Sequence, residues 1–315
     1  MQSENEDVLA EQLRVKDANE RVVVEIGLLA TLYFERAWAP EVRASVAACA
    51  EAFLARCSDQ IRWAKNPKTL KMVPFDPRIG PSPSETLTSS DEEASWELLY
   101  HAGEHERAAS ALSVRAMCTD KAQNELGFLQ VSFPLLWFAD HPGSLPELTL
   151  EACQRLRPVS GYGGIGILES PDSSIRVKFE PAVYTMAQRF PGLEVDYPWI
   201  HVVHLDQGIK GVNWLTILGE PWLGRVGGAG ALRAALGETF VTRSFEGGVL
   251  IQAGPRPLLG DAERGSTPGP YAKLAALLAP VQIKEHGSFH HARPDRFDRR
   301  SSEAWLRRLL TLAGH

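Results

Sequence analysis

The sequence predicts an α+β fold in which a mostly antiparallel or mixed sheet carries flanking helices. Strand–helix–strand order recurs in both halves of the chain. Three strand-like runs near the middle are separated only by turn or loop residues, which is typical of an antiparallel meander. The 315 residues, 44% of them hydrophobic, can bury a large core without a metal or disulfide. Because the two halves have a similar order of strands and helices, the chain could contain an internal duplication, although no residue pattern repeats clearly.

The first third of the chain predicts an acidic arm, a strand, a helix and a loop. Residues 1–20 carry six acidic and two basic side chains and few large apolar ones, as expected for a solvated arm. Val22–Phe34 begins with β-branched residues and predicts a long strand buried on both faces. Pro40–Cys57 has apolar residues at helical spacing after a proline that suits the first helical position, so an amphipathic helix is expected. Prolines recur across Asn66–Ser90 and predict a loop there.

Strands and helices then alternate to the end of the chain. Further strands are predicted at Trp96–His101, Leu112–Thr119, Gly127–Phe133, Tyr162–Leu168, Gly211–Leu218 and Val249–Ala253. Helices are predicted at Pro146–Arg157, Val183–Phe190, Leu223–Leu236 with a Gly-Gly interruption, Pro270–Leu278 and Ser302–Ala313. We expect a single α+β domain over residues 21–285, preceded by the arm at 1–20 and followed by a basic loop and C-terminal helix at 286–315.

Composition excludes several classes of function. The formal net charge of −6 argues against a general nucleic-acid binder, which usually carries a basic face. The N-terminus has no basic start followed by an apolar run, and the apolar stretches are far shorter than the roughly 20 residues of a membrane helix. Cys49 and Cys57 lie about two turns apart on the predicted helix, so free buried thiols are expected. We therefore predict a cytoplasmic protein that binds neither nucleic acid nor membrane, and leave its oligomeric state open.

The glycine-rich run Gly161–Gly166, with the sequence GYGGIG, is the most tempting motif for a ligand site. A phosphate-binding loop needs its glycines after a strand and at the start of a helix, because the free N–H groups of the helix hold the phosphate. Here the glycines enter an apolar strand, and neither a lysine nor a helix follows directly. A closely packed strand or a bulge is therefore the favoured interpretation.

The first histidine pair does not match a zinc motif. His101 and His105 are four residues apart, but Gly103 lies between them and disfavours the helix that would align both rings. Glu104 also stands at the wrong place for the acid of a zinc hydrolase motif. A strand that ends in an acidic loop explains these residues better.

The later histidines are also poorly placed to bind a metal ion together. His201 and His204 flank the strand-like Val202-Val203, and on a strand they would point away from each other. A late polar cluster, His286, His290 and His291, falls in a predicted loop. No glycine–serine elbow occurs, and no cysteine carries a local catalytic signature. The sequence therefore predicts no catalytic residue, no metal ligand and no cofactor.

Charge is distributed unevenly along the chain. No lysine or arginine lies between Asp91 and Glu106, whereas the C-terminal segment is rich in arginine. Most such runs are solvated faces. The functional interpretation is that the acidic run meets a basic surface, such as the DNA-binding cleft of a nuclease, where opposite potentials accelerate association. The candidate partner-binding residues are Asp91, Glu92, Glu93, Glu97, Glu104 and Glu106.

Two short motifs in the second half resemble a known family. Asn213-Trp214-Leu215-Thr216 and Leu259-Gly260-Asp261 are fairly specific, and Gly248–Gly254 lies between them. Their order resembles the TsiV family of type VI secretion immunity proteins, and the likeness extends over about residues 22–285. What the resemblance implies is an immunity protein that binds and sterically neutralises a cognate toxin, in the namesake case a VRR-Nuc type DNase.

The resemblance also bears on the roles of single residues. It brings no cofactor and no catalytic residue, and the shared motif residues look like determinants of the fold. Asn213 and Asp261 would hydrogen-bond turns, and Gly254 and Gly260 would supply unusual backbone angles. The alternative function is a hydrolase or small-molecule-binding enzyme that uses the Gly161–Gly166 strand and the His286–His291 loop. That alternative predicts a deep polar pocket joining the two segments.

Overall fold

A computed structural model describes residues 9–88, 95–118, 126–291 and 293–312, except for the side chain of residue 139. Its strands are β1 (Val15–Lys16), β2 (Val22–Glu35), β3 (Trp63–Lys65), β4 (Met72–Pro74), β5 (Trp96–His101), β6 (Ser113–Cys118), β7 (Leu126–Phe133), β8 (Ser160–Glu169), β9 (Leu215–Gly219), β10 (Phe240–Phe245) and β11 (Gly248–Ala253). Its helices are α1 (Pro40–Cys57), α2 (Pro83–Thr88), α3 (Leu135–Asp140), α4 (Ser144–Leu156), α5 (Ser173–Arg189), α6 (Pro198–His201), α7 (Glu220–Leu223), α8 (Gly228–Leu236), α9 (Gly269–Leu278), α10 (Arg299–Leu306) and α11 (Arg308–Leu312).

The strands form one sheet in the order β10-β11-β9-β8-β2-β7-β6-β5-β3-β4, with β1 paired to β2 off this path. Each of these pairs is antiparallel. The long strand β2 lies at the centre, paired with β7 and β8, and is buried along almost its whole length. The predicted α+β fold with a mostly antiparallel sheet is therefore confirmed, as is the β5–β6–β7 meander.

The two faces of the sheet differ in chemistry. Leu28, Ala30 and Leu32 of β2 share one face with Phe133, Val131 and Leu129, their partners on β7. Helix α1 covers this apolar face, and the rings of Phe53 and Phe133 lie 5.0 Å apart. Polar residues occur on the opposite face, where one row across the strands consists of Leu99, Arg115, Gln130, Thr31 and Tyr162.

The C-terminal segment packs onto the rest of the chain. Phe289, Phe297 and Trp305 are buried members of the same hydrophobic core as the sheet. The rings of Phe289 and Phe297 lie 5.4 Å apart, and both contact Trp305. Residues 9–12 are helical and lead into β1. The division into an arm at 1–20, a domain at 21–285 and a tail at 286–315 stays a prediction.

The loop predicted for Asn66–Ser90 is wrong in part, because it contains β4 and α2. Strand β4 lies at the edge of the sheet, where a proline needs to donate no hydrogen bond. Helix α2 begins with Pro83 and has a capping box: the Glu85 N–H donates to Ser82 Oγ, and Glu85 Oε2 accepts from the Ser82 N–H. The proline therefore starts regular structure here.

The segment around His201 is also predicted wrongly. It is helical, with α6 followed by a 3-10 turn at Val202–His204, because Pro198 starts a helix that the β-branched pair cannot override. The helix predicted at Val183–Phe190 is in fact the longer α5, which begins where the Asp172 carboxylate accepts a hydrogen bond from the Ser174 N–H.

Three further features differ from the predictions: a missed strand, a strand that begins later and a helix that is divided. Strand β10 was not predicted, although its hairpin with β11 turns at Gly247, whose φ is 90°. Strand β9 begins only at Leu215, since Gly211–Trp214 precedes it as irregular chain. The predicted C-terminal helix is divided into α10 and α11 at Arg307. Among the described residues, no helix combines the length and apolar character that crossing a lipid bilayer requires.

Candidate functional site

The described residues of the acidic run, Glu97, Glu104 and Glu106, do not form one free acidic surface. Asp91, Glu92 and Glu93 lie outside the described residues. Glu97, on β5, forms ion pairs with Lys65 and with Arg115, whose Nη2 lies 2.9 Å from Glu97 Oε1. Burial acts to raise the pKa of Glu97, but Arg115 and Lys65 outweigh it and lower the pKa below its usual value. Glu97 is therefore compensated inside the protein.

The other two described residues of the run lie in the loop after β5. Glu106 is partly buried, with Oε1 3.6 Å from Arg107 Nε, whereas Glu104 is exposed. Glu104 lines a wide cleft of about 730 Å³. Its charged walls carry both signs, with Arg14, Arg21, Arg62, Glu20, Glu25 and Asp59. Of the described part of the acidic run, only Glu104 and Glu106 thus remain accessible to a partner.

The glycine run Gly161–Gly166 lies inside β8, between β2 and β9. A Cβ atom at Gly164 would come within 2.1 Å of Asn213 Oδ1, and one at Gly161 within 2.5 Å of the Thr31 carbonyl oxygen. These glycines allow neighbouring chain and side chains to approach closely. The prediction of a closely packed strand is confirmed.

A buried network of charged and polar residues lies where β2 and β8 meet the segment after α5. We call Thr31, Tyr162, Glu194, Asp196, Lys210 and Asn213 the Lys210 network. Lys210 Nζ donates to Glu194 Oε1 and to the Val195 carbonyl oxygen, both at 2.7 Å. Asp196 accepts hydrogen bonds from Thr31 Oγ1 at 2.5 Å, from Gln130 Nε2 at 2.8 Å and from the Tyr162 hydroxyl.

The motif residue Asn213 belongs to this network. Its Nδ2 donates to Glu194 Oε2 at 2.9 Å, and its Oδ1 accepts from the Trp214 N–H at 2.8 Å. Asp261 caps a short turn by accepting from the Glu263 N–H, and Gly254 and Gly260 adopt φ of 91° and 66°. These positions support the fold, as the sequence predicted.

The histidines gather more closely than predicted. His201 Nδ1 lies 3.0 Å from His286 Nε2, and His201 Nε2 lies 3.8 Å from Asp196 Oδ1. His290 bonds to the Tyr197 hydroxyl at 2.7 Å. Burial lowers the pKa of His201 well below its usual value and lowers the pKa of His286 and of His290 to about 4. Sequence reasoning missed this cluster because its members are far apart in the chain.

The cluster links the two segments that the enzyme alternative requires. Tyr162 of the glycine strand reaches His286 through Asp196 and His201. The linking side chains are buried and hydrogen-bonded to one another, so a packed protein interior joins the two segments. Within the described ranges, no group of three or more His, Cys, Asp or Glu residues is placed to hold a metal ion.

The cysteines are buried free thiols, as predicted from their spacing. Burial raises the pKa of Cys49 and of Cys57 to about 12 and that of Cys153 further above its usual value. A thiol with so high a pKa carries very little thiolate at neutral pH, and the thiolate is the nucleophile. The environments of these three cysteines therefore suit packing.

Comparison with known proteins gives a family match over most of the chain. Residues 45–309 match the model of TsiV, described as type VI immunity for VRR-NUC. The solved structure of the Pseudomonas aeruginosa T6SS protein PA0821 is similar with a TM-score of 0.87 and 28% sequence identity. That similarity covers 96% of this chain and 90% of the other. A search of curated proteins found no match.

Proposed function

The chain belongs to the TsiV family, and on this premise we propose that it is an immunity protein that binds and neutralises a type VI secretion toxin with a VRR-Nuc nuclease domain. The family match over residues 45–309 carries the proposal. The similarity to a T6SS protein along nearly the whole chain supports it independently. The protein acts in the cytoplasm, where an incoming nuclease reaches its DNA substrate.

We further propose that neutralisation is stoichiometric binding and not catalysis. The histidines His201, His286 and His290 are buried in the neutral form, and the polar atoms of the Lys210 network have partners within the protein. Groups that are saturated in this way stabilise a unique fold. Inhibition is steric, because a protein of this size covers the nuclease site or its path to DNA.

The contact surface includes the acidic run from Asp91 to Glu106, as proposed from its charge. A nuclease needs basic residues to contact DNA phosphates, and those residues attract carboxylates on an inhibitor. Glu104 and Glu106 are the members that the structure leaves open to solvent, while Glu97 is held by Lys65 and Arg115. The protein uses acidic residues here to bind a nuclease, and does not itself bind nucleic acid or membrane.

The test is protection from a VRR-Nuc toxin encoded beside the gene. We expect co-expression to restore growth and to stop degradation of chromosomal DNA, and the two purified proteins to elute together in gel filtration. Raising the salt concentration should slow association, because screening weakens attraction between exposed charges. A toxin that remains lethal and elutes separately would refute the proposed function.

A further inference from the structure

A small polar cleft opens beside the Lys210 network on the polar face of the sheet. We call it the Trp199 cleft, and its functional groups are His101, Arg115, Glu169, Arg176 and Trp199. One wall is formed by β5 and β6, and the other by the end of β8, the start of α5 and helix α6. Its volume is about 60 Å³. Since one water needs roughly 10–15 Å³ of such space, a carboxylate group fits.

Two hydrogen-bond donors in the cleft have no partner within the described part of the chain. His101 is 2% exposed, and its Nδ1 accepts from the Gly103 N–H at 3.2 Å. The neutral ring therefore keeps its proton on Nε2, which has no hydrogen-bond partner of good geometry, although the Glu106 backbone acts on the ring. The buried Nε of Arg115 is likewise unsatisfied. An unsatisfied buried donor costs free energy, which an acceptor entering the cleft recovers.

Charged groups of both signs surround the same space, namely Arg115, Arg176, Glu169 and Asp196. The guanidinium groups of Arg115 and Arg176 each lie 4.6 Å from the ring centroid of Trp199. Arg115 is paired with Glu97, while Arg176 Nη1 donates to the carbonyl oxygens of Ser170 and Pro171 and does not neutralise its charge there. Two cations held on one indole repel each other, and an anion bound beside them would relieve that repulsion.

Two acids line the cleft: Asp196, which already lies 3.5 Å from Lys210 Nζ, and Glu169, at the end of β8. Glu169 Oε1 is buried and unpartnered among the described residues. Burial raises the pKa of Glu169 to about 7, against the opposing effect of Arg176. The carboxyl group therefore carries a proton for part of the time at neutral pH. A protonated carboxyl group donates a hydrogen bond, so it tolerates a second carboxylate beside it.

The cleft is open to solvent at a position suited to a protein partner. Trp199 is partly exposed, and Val203, one turn further along the chain, is 55% exposed. Trp and Arg are among the residue types enriched at the centre of protein interfaces. A nuclease domain presents carboxylates at its catalytic centre, where they hold divalent ions. The cleft therefore offers basic groups where the proposed partner has acidic ones.

We propose that the Trp199 cleft binds an aspartate or glutamate side chain of the toxin, with Arg176, Arg115 and His101 Nε2 donating to its carboxylate. This inference rests on the proposed function and adds the chemistry of one contact. The proposed interface then contains ion pairs of both orientations. Glu104 and Glu106 would meet basic residues of the toxin, and the cleft would receive an acidic one.

The test is the affinity of the Arg176→Gln variant for the toxin, because glutamine keeps a polar amide donor but has no charge. We expect Kd to rise by about tenfold or more, as for other charge pairs that lose one partner in an interface. Arg225 is the matched control, since its guanidinium also lies over a tryptophan, Trp222, at 4.9 Å. Arg225→Gln should change Kd by less than about twofold.

A double-mutant cycle on the toxin makes the test independent of how each variant folds. Each acidic residue of the toxin is replaced by its amide, and one replacement should weaken binding to the wild-type protein but not to Arg176→Gln. If no acidic residue couples to Arg176, the inference is wrong. Inorganic phosphate provides a further check: if it stabilises the wild type but Arg176→Gln keeps full toxin affinity, the cleft binds free anions and the inference is again wrong.

The outcomes separate this inference from the proposed function. If the wild-type protein does not bind the toxin, both fail. If the wild type binds the toxin and Arg176→Gln binds it equally well while melting at the same temperature, only the role of the cleft fails. A coupled toxin carboxylate would support both.

Discussion

The Lys210 network and the Trp199 cleft lie side by side on one face of the sheet and share Asp196, yet their charges are compensated differently. In the network, Lys210 meets Glu194 at 2.7 Å and Asp196 at 3.5 Å, and the hydrogen bonds of Asn213 complete the site. In the cleft, the buried His101 Nε2, Arg115 Nε and Glu169 Oε1 have no partner within the described residues. The first arrangement satisfies its polar atoms within the protein, and the second leaves buried polar atoms open to the carboxylate that we propose.

This difference explains why buried charge alone is a poor sign of function. Both regions contain ionisable groups with displaced pKa values, which are common at active sites but also arise in structural ion pairs. What distinguishes them is whether the polar atoms are satisfied inside the protein. The largest effect on stability should therefore come from the network, and the largest effect on binding from the cleft.

Replacing Lys210 with methionine should have the largest effect on stability. The substitution removes the cation but leaves Glu194 and Asp196 buried beside an apolar side chain. Breaking a buried ion pair in this way costs about 3–5 kcal/mol, measured as the free energy of unfolding in urea. Arg176→Gln in the cleft should cost about 1–2 kcal/mol by the same measurement, because it removes hydrogen bonds to two carbonyl oxygens. Equal losses in the two variants would contradict the distinction between the two regions.

The sequence predicts the sheet well because its signals are local. The run Val22–Phe34 is apolar on both faces, and β2 indeed lies at the centre of the sheet. The glycines of β8 are assigned correctly because no helix follows them directly. Short segments are harder to predict. The capping box of Ser82 and Glu85 is visible in the sequence, but the surrounding prolines favour the prediction of a loop.

The two sites could not be predicted from spacing. Lys210 finds its partners at Glu194 and Asp196, but Tyr162 and Thr31 come from strands far away in the chain. The Trp199 cleft likewise joins β5, β6, β8 and two helices. The acidic run is recognisable in the sequence because six like charges stand close together. A site that tertiary packing assembles from distant residues leaves no such pattern in the sequence.

Glu169 gives the next largest effect, and it depends on pH. Its pKa is about 7 in the folded protein and near its ordinary value of 4.5 in the unfolded chain, so unfolding releases a proton between these pH values. Stability is therefore highest below pH 4.5 as far as this group is concerned, and falls as pH rises to 7. Glu169→Gln should remove this loss and add about 3 kcal/mol to the unfolding free energy at pH 8.

The measurement is urea denaturation of both proteins at pH 5 and pH 8. Arg176, Tyr197 and Glu180 also act on the Glu169 carboxyl group and remain in place in the variant. The gain should nearly vanish at pH 5, where the carboxyl group is mostly protonated in the folded protein. A gain of equal size at both pH values would mean that the substitution acts through packing and not through charge.

The buried histidines should produce a smaller effect of the opposite sign. His286 has a pKa of about 4 when folded and near 6.5 when unfolded, because burial disfavours its charged form. Between pH 6.5 and pH 4 the unfolded chain therefore binds a proton at this residue and the folded protein does not. Stability is lost as pH falls through this range. At pH 5 the loss from this residue is about 2 kcal/mol. His286→Gln should reduce the dependence of unfolding free energy on pH in this range, and an unchanged dependence would contradict the burial of a neutral ring.

The smallest effect should come from the exposed acidic residues, and it should appear in the rate of binding. Glu104→Lys combined with Glu106→Lys reverses two charges that the structure leaves accessible. Because charges at the rim of an interface act mainly by steering the approach of the partner, the association rate should fall about fivefold at low salt, with little change in dissociation. Glu220→Lys with Glu238→Lys reverses two exposed charges elsewhere and is the matched control. Stopped-flow association at several salt concentrations measures both, and equal slowing by the two pairs would show that net charge, and not the acidic run, guides the toxin. A cleft that receives an acidic side chain predicts the reverse pattern for Arg176→Gln, in which dissociation accelerates and association changes little.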